Sequence, residues 1–358
     1  MTQSKRIICR LALAGIMTAV LAGFIVLART PAAKEQSVQL VQNDKERRVD
    51  VLVDGQPFTS YIYPTTLKKP VLYPLRTAKG TVVTRGYPMD PRPGERVDHP
   101  HHVGLWFNYG NVNGFDFWNN SDEVKQTKEH PYGTIYHRGI TTVKSGKEGE
   151  LGVTTDWKDA DGKQLLGETT QFIFRASPGL RVIDRITKLT ALDQPVRFTD
   201  DKEGVIGMRV ARSLEHPSSK PEVFTDASGK KTDVPKLDNT GVTGQYLSSE
   251  GIKGEAAWGT RGRWMILTGT VDGEAVTLAI LDHPKNPGFP TYWHARGYGL
   301  FAANPLGQAA LSNGKETLNF ALKPNESTTF RYRILIISGT ATADQIEAQY
   351  KQFARDAQ

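Results

Sequence analysis

Apolar and polar residues alternate in many short segments of this 358-residue chain. Alternation of this kind places successive side chains on opposite faces of an extended chain, and it predicts half-buried strands. Val49, Val51 and Val53 alternate with polar residues before Asp54-Gly55, a dipeptide typical of hairpin turns, and the predicted hairpin covers residues 48–58. Further predicted strands are 59–63, 71–75, 133–145, 151–157, 167–174, 180–189, 196–200, 205–210, 264–271, 275–282, 317–322 and 328–337.

The connections between these segments carry the residues that turns require. Asp272-Gly273 joins segments 264–271 and 275–282, and segments 317–322 and 328–337 are expected to pair around Pro324-Asn325. The polar stretch 217–240 and the proline-rich stretch 283–290 predict loops. One helix is expected over Ala343–Ala354, because its apolar residues recur at helical spacing.

Many short strands and one terminal helix predict an all-β protein, a large antiparallel β sandwich of the supersandwich type. The expected organisation is an export signal or membrane anchor over residues 1–33, a linker over 34–46 and a single β-sandwich domain over 47–358. Glycine-rich dinucleotide and P-loop motifs and the G-x-S-x-G motif are absent from the sequence, so those three chemistries have no support.

Residues 11–28 form an apolar run that Lys5, Arg6 and Arg10 precede. A basic segment before an apolar run predicts export, with the body of the chain periplasmic or secreted. The run is also long enough to anchor the chain, so cleavage and retention both stay open, and membrane contact is expected only there. The one cysteine, Cys9, lies in this leader, which excludes disulfides and thiolate sites from the exported part.

The net charge of +7 comes partly from this leader. Residues 30–358 carry 41 basic and 38 acidic residues. They contain no basic stripe with interleaved aromatic residues, so no nucleic acid partner is expected.

Three of the eight histidines, His99, His101 and His102, lie within four residues. Pro100 disfavours a helix there and predicts an extended segment, in which His99 and His101 share a face while His102 points away. That geometry suits two ligands of one metal ion or an acid–base pair facing a pocket. A polar turn that enters a strand is the alternative interpretation.

A second group of polar and aromatic residues follows near the C-terminus, with His283, His294, Arg296, Tyr298 and Asn304. Arginine and asparagine beside aromatic rings suit a sugar, whose hydroxyls need polar contacts and whose C–H face stacks on a ring. Each tryptophan, considered alone, is nevertheless expected to be a core residue rather than a ligand-binding one. We predict that the histidine stretch and region 282–301 meet, because both interrupt otherwise regular alternation.

Seven segments of the sequence resemble a bacterial family known as methane oxygenase PmoA-like, over roughly residues 40–356. They are Tyr73-Pro-Leu-Arg76, Thr84-Arg-Gly-Tyr-Pro88, Asp98-His-Pro-His-His102, Gly104-Leu-Trp106, Asn113-Gly-Phe-Asp-Phe-Trp118, Lys202-Glu-Gly204 and His294-Ala-Arg-Gly-Tyr-Gly-Leu-Phe301. The strand pattern is also similar to the galactose-mutarotase-like supersandwich. That resemblance implies histidines and a carboxylate that act on a sugar ring.

These observations predict an exported carbohydrate-active enzyme, of epimerase, lyase or hydrolase type, that uses histidine acid–base chemistry on a saccharide or glycoside. The candidate catalytic residues are His99, His101, His102, Glu203 and His294. The candidate substrate-binding residues are Arg76, Arg85, Trp106, Asn108, Trp118, His283, Arg296, Tyr298 and Asn304.

Two alternatives stay open at this stage. One is a metal-dependent oxygenase in which His99, His101 and a third histidine bind a divalent copper, iron or zinc ion. The other is a carbohydrate-binding protein without catalytic activity. No other cofactor is indicated.

Overall fold

The computed structural model describes residues 36–126 and 131–356. The predicted export segment and Cys9 lie outside the described residues. Within those ranges the chain forms mostly β strands. The first ten, in chain order, are β1 (Val38–Asn43), β2 (Arg48–Val53), β3 (Gln56–Ile62), β4 (Val71–Leu72), β5 (Leu105–Tyr109), β6 (Thr134–Lys144), β7 (Gly149–Lys158), β8 (Gln164–Ser177), β9 (Leu180–Ala191) and β10 (Val196–Arg197).

The second half of the chain adds ten strands and two α-helices. The strands are β11 (Gly204–Arg209), β12 (Glu222–Thr225), β13 (Lys231–Val234), β14 (Gln245–Ser248), β15 (Trp264–Val271), β16 (Glu274–Asp282), β17 (Tyr292–Arg296), β18 (Leu300–Asn304), β19 (Ala321–Leu322) and β20 (Ser327–Ser338). The helices are α1 (Gln308–Leu311), of a single turn, and α2 (Ala343–Phe353). Short 3₁₀ helices cover Arg212–Leu214 and Gly254–Ala257.

Two antiparallel sheets of eight strands each form the body of the fold. The first sheet has the order β1-β2-β3-β4-β5-β11-β18-β17, and the second has the order β14-β15-β16-β20-β9-β8-β7-β6. Two smaller two-stranded pairs, β10–β19 and β12–β13, accompany them in the described part of the chain. The predicted all-β sandwich with one longer helix at its C-terminus is therefore confirmed.

Alternating side chains of the two sheets point either between the sheets or outward. Inward side chains such as Phe107 of the first sheet and Phe172 and Ile334 of the second form the main core. The outer face of the second sheet is covered by α2, whose Ile346 and Phe353 are buried against it. The outer face of the first sheet carries a separate apolar cluster, the outer cluster, defined by Val71, Val103, Trp106, Trp118, Leu300 and Ala302.

Most predicted strands are confirmed, including the hairpin at residues 48–58 and the one joined by Asp272-Gly273. The pairing expected around Pro324-Asn325 is wrong. The short strand β19 pairs with β10, because both edges of β20 are occupied by β16 and β9.

Two segments expected to lack regular structure contain strands. The predicted loop 217–240 includes the β12–β13 hairpin, which bonds to the chain before the histidines through Gly94 N to Thr225 O (2.7 Å) and Val97 N to Val223 O (2.9 Å). The predicted linker 34–46 includes β1, which extends the first sheet by pairing with β2 and buries Val38.

Strands β5, β17 and β18 are missing from the sequence-based assignment. Almost every residue in them is buried, so their sequences lack the alternation that identifies a half-exposed strand. All three lie in the first sheet, next to the outer cluster. None of the helices in the described ranges has the length and apolar character that a membrane crossing needs.

The N-terminus of α2 offers a direct test of how the terminal helix is held. The Thr342 side chain accepts a hydrogen bond from the Gln345 backbone N–H, and the Gln345 side-chain oxygen accepts one from the Thr342 backbone N–H. We expect Thr342→Ala to lower the free energy of unfolding by about 1 kcal/mol, since the Gln345 backbone N–H loses its partner. Urea unfolding measures the change. Thr340→Ala, an exposed threonine just before the helix, is the control and should have little effect.

Candidate functional site

The three clustered histidines form a tight turn in the structure. The His102 backbone N–H donates to the His99 carbonyl over 2.9 Å, and His99 has a φ of +42°. The rings of His99 and His102 stack at 4.8 Å with planes 4° apart. The predicted extended segment, with His102 pointing away, is therefore wrong, because the turn reverses the chain and brings these rings together.

Four rings form one continuous stack across this turn, which we call the ring stack: Tyr298, His99, His102 and Trp106. Tyr298 lies 5.0 Å from His99, and Trp106 lies 5.0 Å from His102, both nearly parallel to their neighbours. Tyr298 belongs to the connection between β17 and β18. The histidine stretch and region 282–301 therefore meet, as predicted.

The carboxylate of Asp98 links the turn to two arginines through hydrogen bonds. Its Oδ1 atom accepts hydrogen bonds from Arg85 (2.5 Å) and Arg209 (2.6 Å), and its Oδ2 atom accepts one from His99 Nδ1 (2.8 Å). Burial alone would raise the pKa of the Asp98 carboxyl. Arg209, the hydrogen bond from His99 and Arg85 together hold that pKa well below its usual value, so Asp98 stays ionised.

Arg85 fixes the backbone of the turn rather than a ligand. Its guanidinium also donates to the carbonyls of Asp98 (2.8 Å), His99 (2.9 Å) and His102 (3.2 Å). Only 1% of the side chain is exposed. The prediction that Arg85 binds substrate is corrected accordingly, because the side chain is buried and both terminal nitrogens already donate inside the protein.

His102 lies fully inside the stack. Arginine only donates hydrogen bonds, so His102 Nδ1, 3.2 Å from Arg209 Nη1, is an acceptor and the ring proton sits on Nε2. Burial and the neighbouring His101 keep the pKa of His102 well below its ordinary value. His102 is therefore a neutral support beneath His99, without direct access to a ligand.

His101 and Lys69 line a small space beside the turn. Neither ring nitrogen of His101 has a hydrogen-bond partner among the described residues. Lys69 is 4% exposed and donates to Asn120 Oδ1 over 3.1 Å. Burial lowers the pKa of the Lys69 ammonium to about 7, against the opposing charge of Asp116. The space between them measures about 10 Å³, enough for one water molecule.

His294 lies on the same outer face of the first sheet as Trp106, three strands away, and Glu203 lies beside it. Strand pairing places Trp106, Gly207, Ala302 and His294 in one row across β5, β11, β18 and β17. A β-carbon on Gly207 would lie 2.6 Å from the Trp106 ring, so the tryptophan occupies the space that this glycine leaves. The row spans roughly 14 Å.

His294 donates from Nδ1 to the Lys202 carbonyl at 3.0 Å, and Glu203 Oε2 lies 3.6 Å from the same atom. Burial lowers the pKa of His294 to about 4, although the charge of Glu203 opposes that shift. His294 is 2% exposed, whereas the Glu203 side chain is 16% exposed. Glu203 is therefore the group of this pair that a ligand reaches.

Four residues predicted to bind substrate are buried and have structural partners. Trp106 and Trp118 are the centre of the outer cluster, with rings 5.3 Å apart. Asn108 donates to the Phe117 carbonyl over 2.5 Å. Asn304 donates to the Asp201 carbonyl over 2.8 Å. These four predictions are corrected, because none of the side chains has more than 1% of its surface exposed.

Two further predicted residues lie away from the turn. His283 packs edge-on against Phe353 of α2 at 5.0 Å, on the outer side of the second sheet. Arg76 donates to the Gly80 carbonyl over 3.1 Å and closes its own local turn. The structure therefore removes His283 and Arg76 from the candidate site.

His99 and His101, the predicted metal ligands, have ring centroids 5.6 Å apart. Within residues 36–126 and 131–356, no group of three or more histidine, cysteine or carboxylate side chains is arranged to hold a metal ion. Two histidines fall short of the three protein ligands that catalytic zinc sites use. The described residues therefore do not make a fitting site.

The accessible part of the site is small. His99 is 39% exposed at its edge, Asp98 15%, Glu203 16%, and Arg296 lies at the surface beside half-buried Tyr298. Sequence reasoning named four of these residues but missed Asp98 as the carboxylate that holds His99. Adjacency of Asp98 to His99 was the signal that could have indicated it.

Fold and site together define an antiparallel β sandwich with a carboxylate-held histidine on the outer face of one sheet. A model described as a family of unknown function, DUF6807, matches residues 48–351, and the chain belongs to this family. A search of curated proteins found no match. The resemblance to the PmoA-like family stays a prediction.

Several solved structures are similar to the chain. They include an α-galactosidase from Lactobacillus brevis (10% identity, TM-score 0.39, covering 84% of this chain and 40% of that one). Another is an α-galactosidase from Geobacillus stearothermophilus, with 10% identity and a TM-score of 0.39, covering 84% of this chain and 41% of that one. A third is a galactose mutarotase-like protein from Clostridium acetobutylicum, with 9% identity and a TM-score of 0.37, covering 85% of this chain and 99% of that one. The chain spans about 40% of the length of these α-galactosidases. Similarities at this level carry no argument about activity.

The buried Lys69 predicts a distinct dependence of stability on pH. With a pKa of about 7 in the folded chain and about 10.4 when unfolded, the unfolded chain binds more protons between these values. Stability should therefore rise with pH across this window, by at most about 1.4 kcal/mol per pH unit. Denaturant unfolding between pH 6 and 10 measures the rise.

Lys69→Met should flatten that rise, because methionine carries no proton. Lys68→Met is the matched control, since Lys68 is partly exposed and paired with Asp122. An equal rise in the wild type and in Lys69→Met would contradict a pKa near 7 for Lys69.

Proposed function

We propose that the chain is a carbohydrate-active enzyme in which His99 transfers a proton to or from a sugar. The observation that carries this proposal is the hydrogen bond of 2.8 Å between His99 Nδ1 and the ionised carboxylate of Asp98. A carboxylate in that position keeps the proton on Nδ1 and leaves Nε2 as the atom that exchanges protons. His99 Nε2 makes no hydrogen bond with any described residue.

The surroundings of His99 favour a catalytic role over a merely structural one. Tyr298 and His102 cover both faces of the ring and fix its plane, while the edge stays exposed. A positive φ is uncommon for residues other than glycine, and such conformations concentrate at functional sites. A ring with a fixed plane and one free nitrogen is suited to general acid–base catalysis.

Charged groups of both signs around Tyr298 support a saccharide as the ligand. Burial raises the pKa of Tyr298 to about 12, with Arg209, Glu203, Arg296 and Asp98 all within electrostatic reach of it. Sugar hydroxyls both donate and accept hydrogen bonds, so a carboxylate, a guanidinium and a phenol hydroxyl match them. Glu203 is the proposed partner carboxylate, and Arg296 the proposed group that stabilises developing negative charge.

The proposed chemistry is proton transfer at a sugar carbon or oxygen, which includes epimerisation, elimination and glycoside hydrolysis. His101, His102 and His294 act in this proposal as buried supports of the reacting groups. Export of the protein, with a cleaved or retained N-terminal segment, belongs to the proposal as a prediction from the sequence.

His99→Asn tests the proposal. Asparagine tolerates a positive φ better than most residues, so the turn is retained while the imidazole is lost. We expect turnover to fall by about 10²–10⁴-fold, the usual contribution of a general acid or base. Turnover is followed by NMR on a panel of monosaccharides, oligosaccharides and aryl glycosides, which reports anomer exchange, elimination and hydrolysis together.

His137→Asn is the matched control, because His137 is a half-buried histidine stacked on Tyr63 at the second sheet. It should leave turnover unchanged. Equal activity of the wild type and His99→Asn, or equal losses in both variants, would refute a proton-transfer role for His99.

A metal requirement stays a prediction from the sequence, and no step of the proposed chemistry depends on it. It predicts close to one equivalent of a transition metal in protein purified without chelators, lost in His101→Ala. Elemental analysis measures this, with His216→Ala as the control for a buried histidine elsewhere. Protein that stays active after chelator treatment and contains no metal would contradict the metal prediction while leaving the role of His99 intact.

A further inference from the structure

Trp258 differs from the other tryptophans of the chain. All six lie in the described ranges, and five of them are at most 3% exposed, whereas Trp258 is half-buried. It follows the 3₁₀ helix Gly254–Ala257 and therefore comes from a different part of the chain than the histidine turn. A partly exposed indole outside the core raises the question of what it binds.

Arg296 connects Trp258 to the candidate site. Its guanidinium carbon lies 5.4 Å from the centre of the Trp258 ring, and the side chain is exposed at the end of β17. The Gly299 N–H donates to the Arg296 carbonyl over 3.0 Å, so one tight turn carries both Arg296 and Tyr298. Trp258 therefore adjoins the turn whose tyrosine stacks on His99.

A carboxylate completes this patch. Glu255 is exposed, and a β-carbon added to Gly297 would lie 2.2 Å from its Oε1 atom. The carboxylate thus rests directly against the same turn, in space that only a glycine leaves free. His216 also approaches Gly297, and its Nε2 atom is buried without a partner among the described residues.

We propose that Trp258, Arg296 and Glu255 form a second saccharide subsite beside His99, so that the ligand is an oligosaccharide of at least two sugar residues. The inference rests on the proposed carbohydrate function and deepens it. An indole offers the C–H face of a sugar a flat apolar surface, the guanidinium donates to hydroxyls, and the carboxylate accepts from them. Because Arg296 and Tyr298 share one turn, a chain bound across that turn meets both subsites.

Binding of a saccharide panel to the full chain tests the inference. The panel contains matched monosaccharides, disaccharides and trisaccharides, and affinities are measured by calorimetry. We expect the wild type to bind the best trisaccharide at least about tenfold more tightly than its monosaccharide. Trp258→Ala should remove most of that advantage and leave monosaccharide binding unchanged, and Trp258→Phe should restore part of it.

Tyr136→Ala is the matched control, since Tyr136 is an aromatic residue 51% exposed on the second sheet. It should bind every saccharide as the wild type does. Circular dichroism and the thermal midpoint of each variant establish that it is folded before its affinity is compared.

The outcomes separate the two proposals. Monosaccharide binding with no gain for longer saccharides, or a gain that Trp258→Ala retains, would overturn the second subsite alone. Failure of the folded wild type to bind or convert any saccharide of the panel would overturn the carbohydrate function itself, and the subsite with it. If the wild type binds longer saccharides more tightly and Trp258→Ala loses this advantage while Tyr136→Ala keeps it, both proposals are supported.

Discussion

The geometry of the site depends on one carboxylate, 15% exposed, between two buried arginines. Asp98 receives Arg85 and Arg209 on a single oxygen and leaves the other oxygen for His99. Removal of one member of a buried ion pair typically costs 3–5 kcal/mol, because the remaining charge stays in a medium of low polarity. Without Asp98, the two guanidinium groups of Arg85 and Arg209 would both lose this counter-charge. The same three residues that stabilise the turn thus also determine which nitrogen of His99 is free.

The apolar residues on the outer faces of the two sheets are shielded from water in different ways. The second sheet covers its apolar outer residues with the helix α2, while the first covers them with the outer cluster and the ring stack. Within the ring stack His102 lies between His99 and Trp106, which explains why His102 is inaccessible. Burial also lowers the pKa of His101 and His102, so the layer below His99 carries little charge of its own. A buried neutral support leaves Asp98 as the main influence on the ring proton.

The sequence was sufficient for the parts of the fold that expose one face to water. Strands β2, β7 and β8 alternate visibly, and α2 has its apolar residues at helical spacing. Strand β5 has no exposed residue, so its sequence carries no period that reveals it.

Within the site, the meeting of two distant segments followed from composition, but the shape of the turn did not. The turn depends on the positive φ of His99 and on the carbonyl contacts of Arg85, neither of which has a local sequence signal. The burial of Lys69 could not be predicted from the sequence for a similar reason. Nothing around Lys68-Lys69-Pro70 in the sequence shows that one lysine is buried and its neighbour is not.

The members of the ring stack and its ion pairs come from segments far apart along the chain. Asp98 and Arg209 are 111 residues apart, and Tyr298 is contributed by the hairpin of the last two strands of the first sheet. Closing loops of this length costs conformational entropy, which the packing of the assembled sheets must offset. The orientation of His99 therefore depends on residues from both halves of the chain. A chain that ended before Tyr298 would contain all three histidines of the turn but would lack the tyrosine ring that stacks on His99.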